Sequence, residues 1–246
     1  QATVASSCIL SGVIFKGYIM LLIKLIWRCF TPEVYYHCGV GLVLFLFGVG
    51  GMVLCSVNAI FARNIKTMVA YSSTAQIGYV FMGLGLGTPA MLLASFLQMA
   101  AHAITKPVLF LSAVVLMDAS GGHQDFVSLR GAARRDNASG VLFTMGSLSL
   151  VGLPLLAGFI PKLHFATAAA PLGWQTWVVW IALAASTVLN VLYFLYTVML
   201  VWLPGTREEA HHTWKHAIPG FVLMALNLTM GLHPQWWEAL LGTFGK

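Results

Sequence analysis

Three lysines placed beyond the reach of water are the groups in this chain best suited to chemistry. Lys106 stands 17 residues from the start of an apolar run and 11 from its end. At 1.5 Å rise per residue the nearer end is about 16 Å away, farther than a lysine side chain can snorkel. Lys16 is placed similarly, 10 and 14 residues from the ends of its run, and Lys162 follows a segment rich in Pro and Gly. Taking an ammonium out of water favours its neutral form, so a lysine at such depth can take up and release a proton. His102 lies four residues before Lys106 and Gln98 four before that, which puts all three on one helix face. An imidazole can pass a proton from one ring nitrogen to the other. His164, two residues after Lys162, points elsewhere on its helix and is open to a relay or a packing role. The run Tyr71, Ser72, Ser73, Thr74 and Gln76 could hold ordered water for proton transfer or bond neighbouring helices. Asn58, Asn190 and Asn227 read as helix-packing polar groups.

The elements that must carry these residues are membrane spans. The 246 residues are 59% hydrophobic and 8% charged, with mean hydropathy +0.85, against about 25% charge in soluble domains. Runs of about 20 apolar residues cross a bilayer, and they occur at 6–30, 39–61, 66–86, 89–117, 138–170, 174–203 and 216–232. The expected fold is an all-α, polytopic membrane helix bundle with about seven transmembrane crossings, forming a single transmembrane domain over 1–246. The fifth run is too long for one straight helix and contains GLPLLAGFIPK, so it should break into two half-helices near Pro154–Lys162. Irregular backbone at membrane depth survives only where protein or a wet cavity surrounds it. GVGG at 48–51 and GLGLG at 83–87 suit close helix packing.

The net charge of +6 is best used for orientation, not for nucleic acid, which the long apolar runs exclude. Arg63, Lys66, Arg130, Arg134, Arg135, Arg207 and Lys215 fall on one side, which the positive-inside rule assigns to the cytoplasm. Arg28 and Lys246 fall on the other, and Lys24 and Arg28 can snorkel to a helix end. The C-terminus is then outside, with Trp236 and Trp237 as interfacial anchors. The 118–137 segment is expected to be a solvated cytoplasmic loop or a lateral surface helix without chemistry of its own. Cys8, Cys29, Cys38 and Cys55 form no C-x-x-C pair and read as small hydrophobes. Neither a metal site nor a cofactor site is expected. The loop histidines His123, His211, His212, His216 and His233 lack metal-ligand spacing. All seven acids, Glu33, Asp118, Asp125, Asp136, Glu208, Glu209 and Glu238, lie in loops or near span ends, so the buried lysines should find no acidic partner within the chain at mid-depth. The first residue is Gln1, and the N-terminal part of the protein is expected to lie outside this sequence.

The segment NIKTMVAYSSTAQIGYVFMGLGLGT, the helix QMAAHAITKPVLFLSA and the stretch SLSLVGLPLLAGFIPK together resemble the proton-translocating, antiporter-like membrane subunits. These occur in respiratory complex I, Mrp-type sodium/proton antiporters and membrane-bound hydrogenases. ATVASSCILSGVIFKGYIMLLIKLIWR is similar to the family's earlier broken helix. The resemblance implies that Lys16 is the lysine of that helix, paired in the family with a glutamate on an earlier one. It further implies that His102 and Lys106 are the central relay residues, and that Lys162 is the lysine of the second broken helix, where protons leave towards the outside. Lys66 is taken as a residue of the cytoplasmic edge. The family has about fourteen crossings, so the chain corresponds to a C-terminal half. The 39–61 run holds no ionisable side chain but Cys55, which leaves a gap between Lys16 and His102 for water to span. The implied setting is a multisubunit complex in a bacterial or archaeal inner membrane, with other membrane subunits, lipid, and protons or sodium ions as partners. Redox-coupled pumping is one reading; cation/proton antiport without redox coupling and a passive structural subunit are the others.

Overall fold

The computed structural model describes residues 6, 9–29, 32–205 and 214–242. Cys8, Arg207, Glu208, Glu209, His211, His212 and Lys246 lie outside the described residues, as do the side chains of Cys29, Glu33, Lys215 and His216. Every regular element among the described residues is helical. A π-helical turn, Leu10–Ile14, leads into α1 (Phe15–Cys29), followed by α2 (Pro32–His37), α3 (Val40–Ile60), α4 (Ile65–Leu86) and α5 (Pro89–Asp118). After them come α6 (Ala132–Arg135), α7 (Asn137–Val151), α8 (Phe159–Ala169), α9 (Trp174–Trp202), α10 (Trp214–Leu232) and α11 (Pro234–Gly242). Helices α3, α5 and α9 are long and apolar enough to cross a membrane, and α10 with α11 makes a fourth if that bent pair is one span.

Local signals set the helix ends. Asn64 accepts from the Thr67 N–H at 2.8 Å to start α4, and Thr88 accepts from Met91 at 3.3 Å ahead of Pro89 at the start of α5. Asp136 accepts from Ser139 at 2.9 Å to start α7. These side chains satisfy amide hydrogens that have no partner within the helix. Helix α5 sits at the centre, packed by the π-helical turn and by α4, α7, α8, α10 and α11. Helices α3 and α4 meet backbone to backbone: a Cβ on Gly78 would stand 2.7 Å from both the Gly48 carbonyl oxygen and the Met52 nitrogen. The glycines of that pair therefore act as packing residues, because only hydrogen fits between the two backbones.

One expectation requires correction. The 118–137 segment is not simply solvated. Leu129, Ala132 and Ala133 are buried, and the buried Arg135 guanidinium donates to Ser120 Oγ at 2.7 Å and to the carbonyls of Arg130 and Ser128. The Ile65 N–H donates to the Gln124 carbonyl at 3.1 Å, so this segment clamps the end of α5 to the start of α4. At its exposed tip, the Ser128 backbone N–H, and then the Ser128 hydroxyl, hold the Asp125 carboxyl below its ordinary range. The residues after 232 fold back onto the bundle. Helix α11 turns back by 89° from α10, and its Trp237 and Leu241 pack with Leu97, Ala101 and Ile160. Trp236 remains exposed and stacks on His233.

Candidate functional site

In the segment expected to hold the first broken helix, the π-helical turn Leu10–Ile14 runs directly into α1. It widens the backbone ahead of Lys16, a device common at functional positions, and the Lys16 ammonium donates to the Ser11 carbonyl. Gly12 lets this turn close onto α5: a Cβ there would stand 3.2 Å from Pro107 Cγ. The approach brings Lys16 Nζ to 2.6 Å from His102 Nδ1. The expected gap between Lys16 and His102 does not exist. Helix α3 does not intervene, and the two side chains meet directly across the interface of the turn with α5. A contact of that length holds a single hydrogen between two nitrogens, and either can carry it.

One turn along α5, Lys106 is completely buried. Its Nζ donates to the Val69 carbonyl at 3.0 Å and to Ser72 Oγ at 2.5 Å, and it lies 6.0 Å from the centroid of the Phe194 ring. Pro107, the next residue, has no N–H for the Ala103 carbonyl four residues back. Gln98, on the same face, donates to Gln76 Oε1 at 2.6 Å. Ser72 and Gln76 of the polar run thus face α5, whereas Tyr71 and Thr74 are exposed. His102 Nε2, Gln98 Oε1 and Gln76 Nε2 are buried without a hydrogen-bond partner, which marks a polar seam able to hold water. A cavity of about 840 Å³ extends from Asn64, Lys66 and Gln124 past Thr67 and Ser73 to His102.

Lys162 belongs to the second break, which falls between Val151 and Phe159. Helix α7 ends at Gly152 in the left-handed conformation, and Leu155 also has positive φ, at 77°, a costly state for a residue with a Cβ. The last carbonyls of a helix carry partial negative charge. The Lys162 ammonium donates to two of them, Leu150 at 3.1 Å and Val151 at 2.6 Å, and to Thr187 Oγ1 at 3.3 Å. The end of α7 takes the place of a carboxylate here. The break is held from α10 by Asn227, which accepts from the Ala157 N–H at 3.1 Å and donates to Ser149 Oγ at 2.9 Å and Thr105 Oγ1 at 2.7 Å. Gly158 lies against the Ser149 carbonyl with no room for a Cβ.

Sequence reasoning underrated Asn227 and missed the buried face of α9. Ser186, Asn190, Tyr193 and Thr197 are all buried there, at a three- and four-residue spacing that puts them on one helix face, as the four-residue spacing does for Gln98, His102 and Lys106. Hydroxyls and amides drew less notice than charges. The position of His164 is now defined: its Nε2 lies 3.0 Å from Glu238 Oε1 on α11. No described acid meets Lys16, Lys106 or Lys162. Lys24 and Arg28 lie exposed in the last two turns of α1. No three His, Cys, Asp or Glu side chains cluster as metal ligands among the described residues.

Residues 1–190 match the family described as NADH:quinone oxidoreductase/Mrp antiporter, TM. NADH-quinone oxidoreductase subunit L of Campylobacter jejuni is 32% identical over 132 residues, which is 54% of this chain and 21% of that protein. A chain of the membrane-bound sulfane sulfur reductase, an archaeal respiratory membrane complex, superposes with TM-score 0.86 at 24% identity, covering 97% of this chain and 48% of that one. A chain of the Mrp complex from Dietzia sp. superposes with TM-score 0.76 at 22% identity, covering 83% and 46%. The chain matches about a quarter of the length of the curated relatives, 25%, 21% and 32% for three of them.

Proposed function

Because the chain belongs to the NADH:quinone oxidoreductase/Mrp antiporter family of membrane subunits, we propose that it moves protons through Lys16, His102, Lys106 and Lys162 within a multisubunit membrane complex coupled to a redox module. The observation that carries this reading is the 2.6 Å contact of Lys16 Nζ with His102 Nδ1. It joins the first broken helix to the helix of Lys106 and makes two features of the sequence one proton site. Protons reach it from the cytoplasmic side along the cavity beside Lys66 and Thr67, pass to Lys106, and leave through Lys162 and the second break. A carboxylate brought close to Lys16, from the N-terminal part of a longer subunit or from a neighbour, stabilises the ammonium and loads it. Withdrawal of that carboxylate favours the neutral amine and drives the proton onward.

In this reading the chain is the C-terminal part of an antiporter-like subunit with seven crossings of a bacterial or archaeal inner membrane, the Lys66 side being cytoplasmic and the C-terminal end outside. The solved Mrp relative favours one other reading, cation/proton exchange without a redox partner, with sodium as the counter-ion. The test is proton transport by membrane vesicles carrying Lys106→Met, energised by respiratory substrate or by an imposed sodium gradient. Loss of transport with assembly intact supports the path, and the driving force that wild-type vesicles obey separates the two couplings. Undiminished transport by Lys106→Met rejects the path.

A further inference from the structure

Lys106 and Lys162 share no ligand. Lys106 is bound at Val69 and Ser72 of α4, and Lys162 at the end of α7 and at Thr187 of α9. The space between them is bordered by the buried polar face of α9. Tyr193 donates its hydroxyl hydrogen to Asn190 Oδ1 at 2.5 Å, and both residues are buried. The same hydroxyl faces Ser72, the ligand of Lys106. On the other side stands Tyr79 of α4, fully buried, its ring centroid 5.8 Å from Lys162 Nζ. Its hydroxyl faces Ser186 and Thr187 without completing a hydrogen bond to either, and Asn190 Nδ2 is likewise buried without a partner. Two phenols and an amide therefore occupy the stretch between Lys106 and Lys162.

We propose that Tyr193, oriented by Asn190, passes protons from Lys106 to Lys162, with Tyr79 completing the bridge to Thr187. This rests on the proton-conducting reading above. An N–H bond breaks at the Lys106 ammonium as Ser72 Oγ gains that hydrogen. Ser72 gives its own hydrogen to Tyr193 Oη, Tyr193 gives its own towards Tyr79 Oη, and the last hydrogen moves by way of Thr187 onto the neutral Lys162 amine. One proton leaves one nitrogen and one reaches the other. Each hydroxyl ends neutral with its hydrogen turned to the opposite side, and no electrons are exchanged. One water between the two phenols gives the Tyr79 hydroxyl and the Asn190 amide the partners they lack. In the observed arrangement the Tyr193 hydrogen is bonded to Asn190 and the Ser72 hydrogen to the Val69 carbonyl, so the bridge is open, and rotation of both hydroxyls, Ser72 towards Tyr193 and Tyr193 towards Tyr79, closes it.

The experiment compares vesicles from cells carrying wild type, Lys106→Met, Tyr193→Phe, Tyr79→Phe and the double phenylalanine variant, with assembly checked on native gels. Each single phenylalanine variant keeps its ring and is expected to lose at least tenfold in transport rate. The double variant should be no slower than either single one, because both act on one path. Difluorotyrosine at position 193, equal in shape and more acidic, should change the pH profile of the rate, which a merely structural role leaves unmoved. Transport by Tyr193→Phe within twofold of wild type, with Lys106→Met silent, overturns this inference and leaves the wider reading intact. Normal transport by Lys106→Met overturns the wider reading instead. Should Tyr193→Phe fail to assemble, an unchanged pH profile with difluorotyrosine overturns the inference.

Discussion

Replacing Asn227 with Leu should loosen the second break by an amount the structure allows one to work out. The side chain is fully buried and serves three partners, the Ala157 N–H, the Ser149 hydroxyl and the Thr105 hydroxyl. Thr105 keeps its bond to the Ala101 carbonyl, and Ser149 still accepts from Gly158; Ala157 is left with nothing. Interhelical polar contacts in membrane proteins average about 0.6 kcal/mol each, so three are worth about 2 kcal/mol. Every 1.4 kcal/mol is about a factor of ten, so opening of the break becomes about thirtyfold more frequent. Hydrogen–deuterium exchange of the full chain in lipid nanodiscs reads this at the amides of Ala157 and Gly158. Thr105→Val removes one of the three contacts and should accelerate the same amides about threefold, at about 0.6 kcal/mol. Exchange in Asn227→Leu within twofold of wild type, with helix content unchanged, refutes the claim that Asn227 holds the break.

Gly78→Ala sets a Cβ 2.7 Å from the backbone of α3, where no side-chain rotation relieves it; a loss of about 1–3 kcal/mol is expected, read as a lower melting temperature in detergent. Gly50→Ala meets nothing within 4 Å and should melt at or above the wild-type temperature. Glu238→Gln removes the charge opposite His164 while leaving an oxygen that can accept, and because both side chains are about a third exposed the cost is about 1 kcal/mol or less, visible as faster exchange confined to residues 234–242. The Asp125 carboxyl is held below its ordinary range by Ser128, so the contribution of the 125–128 turn is complete above the ordinary carboxylate range and disappears only as pH falls through the lowered value. Protection of the Ser128 amide should follow that course, and Asp125→Asn should show no pH step.

Apolar run length placed the long helices closely: 39–61 became α3 at Val40–Ile60, and 174–203 became α9 at Trp174–Trp202. Desolvation of twenty-residue runs is a local property of the chain, and so is the Pro and Gly content that breaks the fifth run between Val151 and Phe159. Lys106 and His102 were legible because a four-residue spacing shows which side chains share a helix face. The meeting of Lys16 with His102, residues 86 positions apart, was not, since it depends on how the π-helical turn packs against Pro107. Glu238 was read as a span-end acid because nothing local announces that α11 turns back onto α5. The buried face of α9 was legible in principle from the spacing of Ser186, Asn190, Tyr193 and Thr197. It went unread because uncharged polar residues are common in helix packing and only a neighbouring lysine gives them meaning.

The central claim is that protons pass through buried lysines from the Lys16–His102 contact to the second break, where Lys162 is held by carbonyls at the end of α7. Proton transport by vesicles carrying Lys162→Met tests it most directly, because that substitution removes the last nitrogen of the path and keeps most of the side-chain volume. The account predicts a fully assembled protein that no longer transports protons. Transport at the wild-type rate by the assembled Lys162→Met protein would contradict it.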